Sequence, residues 1–191
     1  TISPAGVIVN STATSGKNVT LTNPVGLATD GNSNLFVTSG FNILGQGKLY
    51  KFTNPNLNTG VPADIIDISA SAQPPLSNPT SVLLIGNNTV FVSEYTTQNG
   101  NLGVRKFTIA GDGSVAVQSF LTGIDFPAGL ATDGTNLFVC RNQNNGAGAV
   151  YKIPLAAPGG LTPTSPQVVS IQAAVGDAFN FPWGVAVDAN K

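Results

Sequence analysis

Apolar residues along this chain come in short β-branched or aromatic runs bounded by Gly, Asn, Asp and Pro. No segment sustains a 3.6-residue apolar period over three helical turns. Such runs predict strands, because branched and aromatic side chains pack well on a pleated surface and the bounding residues favour turns. The runs recur in a fixed order. A Leu/Val-Phe-Val step stands at Leu35-Phe36-Val37, Val90-Phe91-Val92 and Leu137-Phe138-Val139. A short basic strand follows at Leu49-Tyr50-Lys51-Phe52, Val104-Arg105-Lys106-Phe107 and Val150-Tyr151-Lys152-Ile153, and then a last run at Ile65–Ile68, Val115–Val117 and Val168–Ile171.

A first strand opens each unit and carries its own signature. Asn23-Pro-Val-Gly-Leu-Ala-Thr-Asp-Gly31 returns as Phe126-Pro-Ala-Gly-Leu-Ala-Thr-Asp-Gly134, as Phe181-Pro-Trp-Gly-Val-Ala-Val-Asp188, and more weakly as Asn78-Pro-Thr-Ser-Val-Leu-Leu-Ile-Gly86. The prolines Pro24, Pro79, Pro127 and Pro182 set intervals of 55, 48 and 55 residues. Asp30-Gly31 and Asp133-Gly134 fall between first and second strands, where tight two-residue hairpins favour Asp-Gly because φ must be positive. Four antiparallel strands repeated at about fifty residues predict an all-β fold of β-propeller blades, which protects strand edges by radial repetition.

The motif Pro-x-Gly-Leu-Ala-x-Asp, then Asn-Leu-Phe-Val, then Val-x-Lys-Phe, resembles the NHL repeat and its bacterial relatives, including six-bladed propellers. The resemblance covers nearly the whole chain. It implies a propeller, and a function drawn from protein scaffolding, RNA binding, or lyase and lactonase-like chemistry. On this reading residues 24–78, 79–126 and 127–181 are blades, 1–23 supply outer strands of a partial blade, and 182–191 supply the inner strand of an incomplete one. Gly6–Val9 and Asn18–Thr22 are expected to be the third and outer strands of that partial blade. The preferred expectation is a piece of a larger propeller. The alternatives are a composite fourth blade built from both ends, or self-association as a homo-oligomer in which a neighbouring chain fills the gap.

Composition narrows the chemistry. A formal net charge of −1 with 9% charged residues leaves no basic field for nucleic acid or anionic lipid. Histidine is absent, which excludes His-dependent triads and His-bearing zinc sites. The single Cys140 has neither an internal disulfide partner nor a His base, so it is expected to be structural. The apolar runs are far shorter than the roughly 20 residues of a membrane span, so no membrane insertion is expected. Low charge, absent Met and His, and many Thr, Asn and Gly residues suit an extracellular, periplasmic or cell-surface protein.

Several residues invite a functional reading. Glu94, the only Glu, closes a second strand and is a candidate general base or calcium ligand. With no evident partner to tune it, a solvated strand cap is the simpler role. Asp30, Asp133 and Asp188 share one repeat phase and are candidate ligands for an axial calcium, although turn chemistry already accounts for two of them. Ile85 interrupts such a ring, and no cofactor is expected. Lys51, Lys106 and Lys152, joined by Arg105, recur once per unit and are expected to solvate an outer face rather than form a polyanion rim. Trp183, Tyr95 and Arg141 are assigned to ligand or protein-partner binding, packing being the simpler role for Trp183. The long uncharged loops at 54–62, 98–103, 142–148 and 156–166 are where a binding surface is expected. The reading is a non-catalytic binding or assembly scaffold. The alternative is a lactonase or strictosidine-synthase-like hydrolase or lyase using channel carboxylates.

Overall fold

The computed structural model describes residues 19–41, 46–53, 64–72, 74–95, 103–143, 147–171 and 179–188. Among these residues there is no α-helix, and the strands form three four-stranded antiparallel sheets. Each sheet is a meander in chain order. The first holds β1 (Leu27–Thr29), β2 (Leu35–Ser39), β3 (Lys48–Thr53) and β4 (Asp64–Asp67), and a 3-10 turn, Ile68–Ser71, follows it. The second holds β5 (Pro79–Ile85), β6 (Thr89–Glu94), β7 (Gly103–Ile109) and β8 (Val115–Thr122). The third holds β9 (Pro127–Thr132), β10 (Asn136–Arg141), β11 (Ala149–Pro154) and β12 (Val169–Ile171). Pairing keeps the sequence phase: Phe36 faces Lys51, Phe91 faces Lys106, and Phe138 faces Lys152.

The sheets stack face to face, and the recurrent Phe explains how. Phe36 of the first sheet is fully buried in a core shared with Val82, Val90, Val92 and Phe107 of the second. Phe91 of the second is buried with Leu130, Leu137 and Val139 of the third, its ring 5.0 Å from that of Phe120. Phe138, at the same phase in the third sheet, is half-buried. Each fully buried ring contributes about 2–3 kcal/mol of transfer free energy, which ties one repeat to the next.

First strands are neighbours too, β1 against β5 and β5 against β9. Their closeness accounts for the repeat glycine. A Cβ on Gly129 would stand 2.6 Å from the Trp183 carbonyl oxygen and 2.8 Å from the Gly184 Cα, nearer than real contacts allow. The second strand braces this seam with a small polar residue. Thr38 Oγ1 accepts from the Gly26 N–H at 2.8 Å, while Ser93 Oγ accepts from the Ser81 N–H at 3.0 Å and donates to the Ala128 carbonyl at 2.7 Å. The exposed backbone edge of β8 is covered by the loop after β11: Leu161 bridges Leu121 in parallel, and the Thr122 N–H donates to the Leu161 carbonyl at 2.7 Å.

Several expectations are corrected. The turns after β1 and β9 span 30–34 and 133–135, longer than two residues, and the left-handed residue is Ser33 (φ 61) in the first and Gly134 (φ 84) in the second. Residues 19–22 form no strand, although Val19 and Leu21 pack against the cluster of Val37, Phe52 and Ile65. Gly6–Val9 lie outside the described residues. Residues 182–188 likewise carry no ladder; a bond from the Gly129 N–H to the Trp183 carbonyl at 2.9 Å sets the segment beside β9.

Candidate functional site

The residue before each repeat proline bends the chain into its first strand with a left-handed backbone: Asn23 (φ 46), Asn78 (φ 46), Phe126 (φ 51) and Phe181 (φ 50). Asn tolerates this conformation, whereas for Phe it costs about 1–2 kcal/mol, so the surroundings must hold it. They do so through the residue after the second strand. The Tyr95 N–H donates to the Asn78 carbonyl at 3.0 Å and the Asn142 N–H to the Phe126 carbonyl at 2.9 Å. These bonds gather Tyr95, Asn142 and the Phe126 ring at the end where first strands begin.

Tyr95 is the centre of the cluster. Its ring lies 5.0 Å from Phe126 and 6.1 Å from Phe41, and it stacks on Trp183 at 5.6 Å with an interplanar angle of 4°. Its hydroxyl donates to Asn142 Oδ1 at 3.3 Å. One side chain of the second repeat therefore touches the first, the third and the segment after Pro182. Trp183, 53% exposed, also lines a cavity of about 350 Å³ walled by segments 25–27, 80–82, 128–130 and 183–185. Those segments share one repeat phase, and no side chain in the wall is ionisable. The cavity falls in the size range of ligand pockets, and Trp183, on which Tyr95 stacks, forms part of its wall.

Two donors near this rim lack acceptors: Asn142 Nδ2, on a residue only 2% exposed, and Arg141 Nε. The Arg141 guanidinium reaches Asp125 at 3.3 Å, and Gln143 Nε2 donates to the same carboxylate oxygen at 3.2 Å. Of the residues assigned to binding from sequence, the structure thus brings Tyr95 and Trp183 into contact and sets Arg141 on the strand end beside them. Phe41, Phe126 and Asn142 were missed. A signal existed for Phe126 and Phe181, where a bulky ring replaces the Asn that other units use at a left-handed position.

The remaining candidates sit elsewhere. Glu94 is not a solvated cap: it is 1% exposed, with Oε1 accepting from the Ser77 N–H at 2.8 Å and from Arg105 Nη2 at 3.0 Å, and Oε2 lying 2.5 Å from Arg105 Nε. Burial pushes its carboxyl up to about 7, against the opposing pull of Arg105 and the Ser77 N–H. Arg105 is not on a solvated outer face either; it is 7% exposed and also donates to the Pro74 and Pro75 carbonyls. The cavity beside the pair measures about 10 Å³, room for one water and no substrate. Lys51, Lys106 and Lys152 are half-buried, Lys51 Nζ lying 5.7 Å from the Phe36 ring centroid.

Asp30 and Asp133 cap their turns. Asp30 Oδ1 accepts from the N–H groups of Asn32 and Asn34 at 2.9 and 2.8 Å, and Asp133 Oδ1 from those of Thr135 and Asn136 at 2.8 and 2.6 Å. Although desolvation opposes it, the Asn34 and Asn32 hydrogen bonds hold the Asp30 carboxyl below its ordinary range. Asp188 is exposed. Among the described residues no three His, Cys, Asp or Glu side chains converge to hold a metal ion. Cys140 is buried, and burial pushes its thiol up to about 11. Among the described residues no helix is long and apolar enough to cross a membrane. Of the four loops expected to bind, 156–166 packs on the β8 edge, and most of the other three lies outside the described residues. No protein-family model matches the chain, and a search of curated proteins finds no match.

Proposed function

We propose that this chain is an NHL-type β-propeller acting as a non-catalytic binding or assembly module in an extracellular, periplasmic or cell-surface setting. Its ligand or protein partner is met at the rim formed by Tyr95 and Trp183. The observation that carries the reading is the convergence on Tyr95 of the Phe41 ring of the first repeat, the Phe126 ring just before the third, and Trp183, which lines a cavity without ionisable walls. In-phase sheets, stacked face to face with first strands adjoining, support the propeller. The carboxylates lend little to an enzyme, since Glu94 is engaged by Arg105 and Asp30 and Asp133 by their turns. The test presents the purified chain to arrays of immobilised extracellular polysaccharides and proteins, alongside Tyr95→Ala and Trp183→Ala. Specific retention that both variants lose, with circular dichroism unchanged, is expected. Saturable hydrolysis of lactones or aryl esters, lost in Glu94→Gln and without any Tyr95-dependent retention, overturns the reading.

A further inference from the structure

We propose that Asn87 is an N-glycosylation acceptor, a modification site that rests on the extracellular or cell-surface setting proposed above. The pattern this transfer reads, Asn-x-Ser/Thr with x other than Pro, occurs at Asn10-Ser-Thr12, Asn18-Val-Thr20 and Asn87-Asn-Thr89. Asn10 and Asn18 lie outside the described residues. Asn87 sits in the turn at 86–88 between β5 and β6, and all three turn residues are exposed. That exposure belongs to the fold. The second sheet is packed on both faces, against the first and the third, and the turn residues Asn32 and Thr135 of those sheets are exposed as well. Asn78-Pro-Thr80 provides the contrast, since it carries the forbidden Pro and its Asn78 and Thr80 are only 6% and 5% exposed.

The turn itself gives no folding reason for an asparagine at 87. Asn is favoured in turns where the backbone is left-handed or where its side chain bonds the turn. Here Gly86 takes the left-handed position (φ 61), and neither Asn87 nor Asn88 does. Asn34 and Asn136 give their Nδ2 groups to the turn carboxylates of Asp30 and Asp133 at 2.6 and 2.9 Å, whereas among the described residues nothing bonds the Asn87 carboxamide. The turn is held instead by the Asn88 carbonyl, which accepts from the Ile109 N–H at 2.8 Å. The Asn87 amide therefore carries a substituent without breaking a bond of the fold. In the transfer its Nδ2 attacks the anomeric carbon of an oligosaccharide activated as a lipid diphosphate. The C–N bond forms, the C–O bond to the diphosphate breaks, the lipid diphosphate leaves with the electron pair, and the amide proton passes to the transferase. β5 runs from the Asn78 corner, where the Tyr95 N–H docks, to this turn, so the glycan stands roughly 20 Å from that corner and leaves the Tyr95 end open. A bulky hydrophilic group also suits a chain whose 191 residues include only 8 Lys+Arg and 9 Asp+Glu.

The experiment treats protein from its native source with peptide-N-glycosidase in heavy-oxygen water, which converts a glycosylated Asn to a labelled Asp, and maps the label by tandem mass spectrometry. Label at residue 87 is expected. In parallel the chain is secreted from cultured animal cells behind a leader. There Asn87→Gln is expected to lose one glycan, read as one step in gel mobility, while Thr89→Ser keeps it. Asn87 is exposed and unbonded, so its variant keeps the fold, as circular dichroism checks. An unlabelled Asn87 in the native protein overturns the proposal, and so does a secreted Asn87→Gln that migrates as the wild type. Where the native protein is found separates the two readings. An unlabelled Asn87 in protein recovered outside the cell refutes the acceptor and leaves the setting standing, whereas recovery from the cytosol alone refutes both.

Discussion

Replacing Arg105 by Met leaves Glu94 in a 1% exposed site without its cation, and the cost follows from the bonds that disappear. The guanidinium meets Glu94 Oε2 at 2.5 Å and Oε1 at 3.0 Å, and also bonds the Pro74 and Pro75 carbonyls. Breaking a buried pair by removing one partner costs about 3–5 kcal/mol. For a protein of this length that lowers Tm by roughly 6–20 °C at pH 8. The penalty is pH-dependent, with a definite sign. Burial already pushes the Glu94 carboxyl up to about 7 from an ordinary 4.5, and loss of Arg105, which pulls the other way, pushes it higher. A carboxyl raised on folding contributes stability that is full below its unfolded pKa and is lost as pH rises through its folded one. Both proteins therefore gain stability as pH falls from 8 toward 5, and the variant gains more because its carboxyl titrates from a higher value. The gap between them shrinks to about 1–3 kcal/mol, the worth of the lost hydrogen bonds to the carbonyls. Turn carboxylates such as Asp30, held low, do not confuse this window, since their contribution is lost only at more acid pH. Thermal melts by circular dichroism from pH 5 to 8 provide the assay. Equal Tm values at pH 8, or a gap that widens on acidification, would refute the reasoning.

Other consequences concern the seam between repeats. Gly129→Ala forces a Cβ to within 2.6 Å of the Trp183 carbonyl and is expected to cost about 1–3 kcal/mol in chemical denaturation. Gly184→Ala, with nothing within 4 Å, is expected to change stability by less than about 0.5 kcal/mol, so equal effects at the two sites would contradict the packing described. Ser93→Ala removes the bonds to the Ser81 N–H and the Ala128 carbonyl and is expected to cost about 1–3 kcal/mol. Cys140 is expected to stay unreactive toward a disulfide reagent at pH 8 while folded and to react at once in denaturant; rapid modification of the native protein would place it in a different environment.

The sequence periodicity made the sheets legible because each strand carries its own local signal. Phe36 and Phe91 stand 15 residues before Lys51 and Lys106 and Phe138 stands 14 before Lys152, and each Phe faces its lysine across the second and third strands. The turn role of Asp30 and Asp133 was readable for the same reason, since the bonds that shape each turn reach residues within four positions of it. What escaped depends on long-range geometry. Glu94 looked solitary because Arg105 lies on another strand, and only the β6–β7 ladder brings them together. Residues 19–22 and 182–188 carry strand-like composition but gain no ladder, as backbone pairing is set by neighbours rather than by propensity. Tyr95 and Trp183 were assigned to binding from sequence, whereas Asn142 was not, because a buried amide in an Asn-rich loop carries no distinguishing local mark.

The central claim is that the first strands of successive repeats wall one cavity and that Tyr95 stacks on Trp183, which is part of that wall. The most direct measurement is nuclear Overhauser contact from the single indole in solution. The account predicts strong cross-peaks between the Trp183 ring and the Tyr95 ring, identified as such by their disappearance in Tyr95→Leu. Cross-peaks confined to the sequence neighbours of Trp183 would contradict it.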